Sequence, residues 1–364
     1  MQHLAGGLAL ATLCAGSALA GGVERAARST SILFENGTYA ELRFAHVSPE
    51  TSGTLAPPAP PVASGGMTED FTTASLGFKT TLGEKLDIAL VIDQPVGADV
   101  NYPAGTAYPA AGATATLESN AVTALLRYRL PSDLSLIGGV RAQRTEGRAD
   151  LPYIPGGYTL GTSSETDFGY VIGIAWEKPE IAARVSLSYN SAIEHDFAVT
   201  ENGAPSLPFT TTIPQSVNLE AQTGIAENTL LFGSVRWVDW TAFDISPAGY
   251  VRGVGSPLVS YHDDTITYSL GLGHRFSDSW SGAVTLGHEP SVGGFAGNLG
   301  PTDGFTSVGL AATYTAGDVE ITGAARYIWL GDARTESPTT PGATFANFTG
   351  NSAVALGLRM AYTF

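Results

Sequence analysis

The sequence predicts an all-β protein, a transmembrane antiparallel β-barrel of about 14 strands with a short N-terminal plug segment. Three observations support this prediction. Segments of about ten residues alternate large apolar side chains with small or polar ones. The connections between these segments alternate between short turns and long loops. Finally, Lys and Arg within the segments fall on the side opposite the large apolar residues.

The N-terminus is predicted to be a signal peptide over residues 1–20. An apolar stretch, Leu4 to Leu13, precedes small residues that end in Ala18-Leu19-Ala20, an A-x-A cleavage pattern. Cleavage there would remove Cys14, the only cysteine, so that the mature chain has no disulfide and no thiolate metal site. No later stretch has about 18 consecutive apolar residues, so we expect no transmembrane helix.

The alternation is clearest in the last segment of the chain. One face carries its large side chains, which are Val354, Leu356, Leu358, Met360, Tyr362 and Phe364. The other face carries small residues and Arg359, and segments 122–130 and 319–330 repeat this period of two. We therefore expect the barrel to occupy 39–364 and the short plug to occupy 21–38.

The connections distinguish a membrane barrel from a soluble sandwich. The short polar turns are predicted at 83–85, 131–133, 178–180, 226–228, 277–279 and 316–318. The long loops, rich in Gly, Pro and Thr, are predicted at about 49–69, 95–116, 145–164, 193–211, 241–261, 291–303 and 331–349. Short turns at one end and long loops at the other are typical of outer-membrane barrels. Closure is required because lipid cannot satisfy a free sheet edge.

The charged residues indicate which face of each strand points into the barrel, and they exclude nucleic acid as a partner. The chain has 18 Lys+Arg against 34 Asp+Glu, a net charge of −16, so a nucleic-acid binder, which needs a basic face, is excluded. A Lys or Arg on the lipid face costs roughly 2–4 kcal/mol at mid-bilayer. We therefore assign to the lumen the charged residues that lie opposite the apolar face, namely Arg43, Lys79, Arg127, Arg129, Arg141, Arg184, Glu220, Arg236, Arg275, Glu320, Arg326 and Arg359.

The chain resembles the FadL/TodX family of outer-membrane transporters for long-chain fatty acids and other hydrophobic compounds. Segment 213–243 is similar to that family's "P-x-x-x-x-L…W-x-x-F" hairpin, and segment 263–290 is similar to the pair that follows it. The resemblance covers 21–364. The family's plug has an Asn-Pro-Ala motif, whereas Ser31 to Gly37 occupies that place here, so the plug departs from the family's pattern.

This resemblance implies passive, energy-independent uptake of hydrophobic molecules such as long-chain fatty acids. In the family, the ligand is captured in an extracellular-loop groove and leaves sideways through a kink in the third strand. The predicted third strand, 87–96, has no Gly, and Asp93 and Pro95 are its only irregularities. We also expect contacts with outer-membrane lipid and, from the aromatic terminus at Phe364, with the barrel-assembly machinery.

Two sets of ligand-binding candidates follow. The loop-groove candidates are Leu151, Tyr153, Ile154, Tyr158, Leu160, Phe197, Leu207 and Phe209. The plug and lumen candidates are Ile32, Leu33, Phe34, Arg43, Arg141, Arg184 and Arg236. The arginines would hold a carboxylate headgroup through charge-assisted hydrogen bonds. Each set also has an alternative role that leaves ligand binding out. The loop residues would simply pack on one another, and the plug residues would anchor the segment in the barrel. Each arginine would pair with an acidic residue of the lumen.

Other functions stay open as alternatives. A general porin for small hydrophilic solutes would need an open lumen whose charges set ion selectivity. A soluble all-β protein, a structural or adhesin barrel and a barrel phospholipase are further alternatives. We expect no enzyme, because the mature histidines are scattered, no Ser lies in G-x-S-x-G, and His288-Glu289 lacks the second His of a zinc motif. We likewise expect no metal and no cofactor.

Overall fold

The computed structural model describes residues 22–26, 28–337, 340 and 342–364. The predicted signal peptide, 1–20, lies outside the described residues. Fourteen antiparallel strands form one closed barrel. These are β1 (Tyr39–Glu50), β2 (Phe71–Leu82), β3 (Leu86–Asp93), β4 (Thr114–Arg129), β5 (Leu134–Leu151), β6 (Glu165–Lys178), β7 (Ala183–Asn190), β8 (Ser216–Ala226), β9 (Thr229–Val238), β10 (Thr265–Arg275), β11 (Trp280–Glu289), β12 (Phe305–Ala316), β13 (Val319–Leu330) and β14 (Ser352–Thr363).

The barrel closes where the last strand pairs with the first. β14 pairs with β1 from Tyr39↔Thr363 to Glu50↔Ser352, and its other edge pairs with β13. Closure leaves no free sheet edge between the first and last strands. The predicted fold class and the predicted alternation of short turns with long loops are confirmed. We call the two ends of the barrel the short-turn end and the long-loop end.

The long loops contain more regular structure than the sequence predicts. A hairpin of Ile193–Glu201 and Ala204–Ile213 rises between β7 and β8, and its first strand pairs with Tyr158–Thr162, which also pairs with β5. The barrel wall therefore continues upward on this side. The remaining short strands are Gly53–Leu55, Gly97–Asn101, Asp244–Ile245, Val259–Ser260, Ala333–Glu336 and Thr344–Phe348.

Helices are few and short. The α-helix Ala248–Val254 lies in the loop between β9 and β10, and 3-10 turns occupy Ser31–Phe34, Pro179–Ile181 and Trp240–Ala242. Among the described residues, no helix is both long and apolar enough to cross a membrane.

The strands separate their side chains as the period-two pattern predicts. Large apolar residues such as Phe78 and Leu126 point outward and are 44% and 50% exposed, whereas the inward Lys79 and Arg359 are 0% exposed. The buried cations are satisfied inside the barrel, since Lys79 Nζ lies 3.0 Å from Asp87 Oδ1. The outer surface is therefore an apolar belt and the lumen is polar.

The segment before β1 lies inside the barrel. Its 3-10 turn Ser31–Phe34 contacts β2, β3 and β4, and Leu33 is fully buried. Lys79 Nζ donates hydrogen bonds to the carbonyl oxygens of Glu35 and Gly37, at 2.8 and 2.9 Å. These contacts fix the residues just before β1 to the inner wall.

Candidate functional site

An apolar cavity opens among the long loops, and we call it the upper cavity. Its volume is about 500 Å³. Its apolar lining comes from distant parts of the chain, including Leu160, Phe197, Phe209, Trp240 and Phe243. Three residues at the start of the N-terminal segment, Gly22, Val23 and Arg25, also line it. A cavity of this size and composition suits a hydrophobic small molecule.

The loop-groove candidates separate into three groups. Leu160, Phe197 and Phe209 line the upper cavity. Four others belong to a loop cluster built around Tyr102 and Phe348, in which Leu151 and Tyr158 are buried and Tyr153 and Ile154 pack against them. Leu160 is also a member of this cluster, and Phe209 packs against it, so the cluster and the cavity share a wall. Leu207 is 63% exposed and does not line the cavity.

The sequence reasoning missed the aromatic wall of this cavity. Trp240, Phe243 and Tyr261 pack together with ring centroids 5.1 to 5.9 Å apart. Of these three residues, the sequence places only Trp240 in a functional group: it follows a strand end, a position that predicts an aromatic side chain at the membrane interface. The close spacing of aromatics in one long loop, over 240–261, was the available indication of a second apolar wall.

A second cavity, the lower chamber, lies deeper in the barrel and has a volume of about 240 Å³. Seven arginines line it, Arg25, Arg28, Arg43, Arg141, Arg184, Arg236 and Arg326, together with Ile32. The structure thus brings all four arginine candidates together and adds Arg326, which was already assigned to the lumen. It also adds Arg25 and Arg28, which the sequence reasoning missed because they precede every strand.

The arginines of the lower chamber differ in their partners. Arg43 Nη2 lies 2.7 Å from Glu41 Oε1, and Arg236 forms a bidentate pair with Glu24. Arg184 Nη2 donates to Gln222 Oε1 at 2.9 Å. These three cations have their main polar partners within the protein.

Arg28 and Arg141 form no ion pair within 4.0 Å in the described part of the chain. They are only 4% and 5% exposed. Arg28 Nη1 donates to the Pro214 carbonyl oxygen at 3.3 Å, and Arg141 Nε donates to Thr123 Oγ1 at 2.9 Å. Burial, and then the charge of Arg141, lower the pKa of Arg28 to about 9. The buried carboxylates of Asp93 and Glu24 act on both cations from beyond 4.0 Å. Because neither cation has an ion pair within that distance, the chamber favours an additional anionic group beside them.

Two plug candidates hold the segment in place. The ring of Phe34 lies 4.4 Å from the guanidinium carbons of both Arg127 and Arg184, a cation–π arrangement. The Leu33 carbonyl oxygen accepts a hydrogen bond from Arg127 Nη1 at 3.4 Å. Both contacts are with the wall, whereas Ile32 faces the lower chamber.

Arg25 lies at the boundary between the two cavities and lines both. Its Nη2 is 2.5 Å from Asp99 Oδ2, and its guanidinium carbon is 4.3 Å from the centre of the Phe71 ring. A ligand that passes from the upper cavity to the lower chamber must therefore pass this pair.

The barrel wall is interrupted beside this boundary. β3 pairs with β2 only as far as Leu76↔Ile92, so Phe71–Ser75 of β2 has no ladder on that side. The third strand resumes as Gly97–Asn101, one residue out of register along β4. We call the space between 71–75 and 94–96 the wall gap. Thr73, Ser75 and Gln94, which border it, line the lower chamber.

The residues that leave the wall pair with the N-terminal segment instead. Gly97 N donates to the Val23 carbonyl oxygen at 2.8 Å, and Arg25 N donates to the Pro95 carbonyl oxygen at 2.9 Å. Pro95 has no N–H to offer to a neighbouring strand, which explains why the ladder stops there. The gap and the segment inside the lumen are thus parts of one hydrogen-bonded unit.

A buried histidine attaches the raised hairpin to the wall. His195 Nδ1 lies 2.8 Å from Asp167 Oδ2 of β6, and its Nε2 lies 3.1 Å from Thr145 Oγ1 of β5. Burial lowers the pKa of His195, and the hydrogen bond with Asp167 partly opposes that effect. His195 is therefore neutral at neutral pH, and one of its ring nitrogens donates while the other accepts.

The architecture defines a class of protein: a closed fourteen-stranded barrel with its N-terminal segment inside the lumen, an apolar cavity among its loops and an interrupted third strand. Solved structures of the FadL/TodX family superpose on this chain, and the chain has their fold. A Pseudomonas aeruginosa FadL homologue superposes with a TM-score of 0.74 at 14% identity, covering 92% of each chain.

Two hydrocarbon transporters show the same fold. The toluene transporter TodX of Pseudomonas putida has a TM-score of 0.63 at 12% identity over 92% of each chain. The toluene transporter TbuX of Ralstonia pickettii has a TM-score of 0.62 at 13% identity over 100% of each chain. No family model and no curated protein sequence matches this chain.

Proposed function

We propose that this chain is an outer-membrane channel for passive, energy-independent uptake of hydrophobic molecules such as long-chain fatty acids. The proposal rests on three features that follow one another along the barrel. They are an apolar cavity among the loops, an arginine-lined chamber below it, and a gap in the wall beside that chamber. Residues 1–20 would direct export, and the apolar outer belt would face outer-membrane lipid after insertion by the barrel-assembly machinery.

The route begins in the upper cavity. A hydrophobic ligand would enter among Leu160, Phe197 and Phe209, gaining about 0.8 kcal/mol for each CH₂ group removed from water. A carboxylate headgroup would then be held by Arg28 and Arg141, two buried cations that form no ion pair within 4.0 Å in the described residues. The ligand's transfer needs no energy source, because each step exchanges one favourable environment for another.

Release would occur sideways through the wall gap or onward through the barrel. The sideways route is supported by the border of the gap, where Thr73, Ser75 and Gln94 line the lower chamber. A hydrophobic molecule leaving there would enter the apolar region of the bilayer without crossing water. Residues 21–38 would act as the plug that keeps solutes from passing straight through.

Single-channel conductance in a planar bilayer, with and without oleate, tests the proposal. The refolded full mature chain is expected to be nearly silent, with small events that oleate alters. A variant without residues 22–37 is the matched control and is expected to conduct steadily, which also shows that the barrel inserts. Large, steady, ohmic conductance of the full mature chain would instead identify an open porin and overturn the proposal.

A further inference from the structure

The upper cavity has walls that come from separate segments of the chain. Phe197 belongs to the raised hairpin, and Leu160 belongs to the short strand that pairs with this hairpin. A further wall, with Trp240, belongs to the loop between β9 and β10, residues 239–264. The cavity keeps its shape only while these segments hold their positions, so the contacts between them decide how a ligand is enclosed.

One carboxylate joins all three segments. Glu201, at the end of the hairpin's first strand, is 8% exposed. Its Oε1 accepts hydrogen bonds from Tyr158 Oη at 2.7 Å and from Tyr250 N at 3.0 Å. Its Oε2 accepts one from Gly249 N at 2.9 Å and another from Ser206 Oγ. Among the described residues, the hydrogen bonds between the hairpin and loop 239–264 all end on this side chain.

The four donors are neutral groups, and they hold Glu201 in its charged form. Although burial opposes the charge, these hydrogen bonds lower the pKa of Glu201 below its ordinary value. Hydrogen bonds to an ionised acceptor are stronger than those between neutral groups. Glu201 is therefore a carboxylate at neutral pH, and each of its four hydrogen bonds is charge-assisted.

The backbone at residue 249 leaves room for this carboxylate because it carries no side chain. A Cβ atom there would lie 2.7 Å from Glu201 Oε1 and 2.9 Å from its Cδ, too close for either pair of atoms. Gly253, in the same helix, has open space where its Cβ would be. The contact with Glu201 thus requires glycine at 249 but not at 253, although both residues lie in the helix Ala248–Val254.

We propose that Glu201 is a positioning residue for ligand capture: it holds loop 239–264 against the raised hairpin and so keeps the apolar walls of the upper cavity closed around a hydrophobic molecule. Neither Glu201 nor any of its four donors lines the cavity, so Glu201 acts through the walls and does not touch the ligand. Without this junction the wall with Trp240 is free to move away from Phe197, and a bound ligand leaves sooner. The inference rests on the proposed transport of hydrophobic molecules and names the group that sets how long the first binding site retains them.

The test measures how fast 1-octanol leaves the upper cavity of the refolded mature protein. Octanol is uncharged, so the arginines of the lower chamber do not select it. Stopped-flow tryptophan fluorescence follows its release, and the upper-cavity signal is the part that Trp240→Phe removes.

The first variant is Glu201→Gln, in which one carboxylate oxygen becomes an amide NH₂ group. This group faces N–H donors, so either orientation of the amide breaks one of the two hydrogen bonds to loop 239–264. Release of octanol is expected to be about tenfold faster. The association rate and the unfolding temperature of the barrel, followed by circular dichroism, should change little.

The second variant, Gly249→Ala, approaches the same contact from the other side. It should reproduce the faster release, since the added methyl group displaces the carboxylate, and Gly253→Ala is its matched control. Glu194→Gln, at an exposed position of the same strand as Glu201, is the control for Glu201→Gln. Both controls should release octanol at the wild-type rate. Glu201→Gln and Gly249→Ala combined should release it no faster than the faster single variant, because both break one junction.

Other outcomes overturn the inference, and they show how far the failure extends. Wild-type release rates in Glu201→Gln and Gly249→Ala would overturn the role of Glu201 and leave a hydrophobic channel in place. Effects that multiply in the combined variant, or faster release that accompanies a lower unfolding temperature of the barrel, would do the same. Absence of octanol binding at Trp240 in the wild-type chain would overturn the proposed function itself. If Glu201→Gln fails to fold, Gly249→Ala and its control decide the question.

Discussion

The side-chain oxygen Oε1 of Gln94 accepts a hydrogen bond from the backbone nitrogen of Ala74 at 3.3 Å, directly across the wall gap. Where two neighbouring strands have no backbone ladder, one side chain thus joins them. A single side-chain bond is far weaker than a ladder, so this position is where the barrel wall is most easily opened.

Joining the two sides of the gap should block release. With Cys14 replaced by Ser, cysteines at positions 74 and 94 linked by a short bis-maleimide are expected to reduce oleate transfer to vesicle lipid at least about tenfold, while binding in the upper cavity persists. The control pair, Ala311→Cys with Ala324→Cys, bridges an intact ladder between β12 and β13. If the protein cross-linked between positions 74 and 94 transferred oleate to vesicle lipid at an unchanged rate, sideways release would be contradicted.

Arg141 should matter only for ligands that have an anionic headgroup. Arg141→Met keeps an apolar stem of similar length but removes the charge, so the lower chamber should lose about tenfold in oleate affinity. Methyl oleate is the matched control ligand, and its affinity should change little. Equal losses for both ligands, measured by calorimetry, would show that the substitution acts through packing instead.

The docking of the N-terminal segment should weaken as pH rises. Burial raises the pKa of Glu35 to about 7, and Glu41 and Glu320 add to this effect while Arg359 and Arg184 oppose it. The docked segment therefore favours protonated Glu35, so its stability is full below the ordinary glutamate pKa and is lost as pH rises through about 7.

Hydrogen exchange checks this prediction. After correction for intrinsic rates, protection of residues 31–37 should be higher at about pH 5 than at about pH 8. Glu35→Gln, which is always neutral, should hold the higher protection at both values. A wild-type segment with the same protection throughout this range would show that Glu35 does not control docking.

The raised hairpin should respond to pH in the opposite direction. Because burial lowers the pKa of His195, the attached hairpin favours the neutral ring; its stability is present above the ordinary histidine pKa and falls as pH drops below it. Protection of residues 193–213 should therefore decrease from about pH 7 to about pH 5. In His195→Gln, which has no titrating ring, this decrease should disappear; its persistence would place the effect elsewhere.

Two loop residues that the sequence alone treats as equivalent should behave differently. Phe197 is 3% exposed and lines the upper cavity, whereas Leu207 is 63% exposed and lies apart from it. Phe197→Ala is expected to weaken binding of a hydrophobic ligand about tenfold through lost apolar contact. Leu207→Ala serves as its control, and an equal loss in both variants would move the groove to the outer face of the hairpin.

The barrel could be predicted from the sequence because the pattern that forms it depends on residues that are adjacent in the chain. Residues such as Leu358 and Arg359 are neighbours with opposite character, and a strand places neighbours on opposite faces, so period two alone separates lipid from lumen. Turn chemistry then gave the order of strands. The burial of Lys79 and Arg359 inside the barrel follows from the same alternation.

The cavities and the gap depended on contacts between distant residues. Arg28 meets Arg141, and Val23 meets Gly97, only after the chain has closed and the N-terminal segment has entered the lumen. The sequence marked Pro95 as irregular, but only the tertiary structure decides whether the freed backbone pairs with β2 or with another segment. Local periodicity thus determined the wall, whereas long-range pairing, which no local pattern encodes, decided the route inside it.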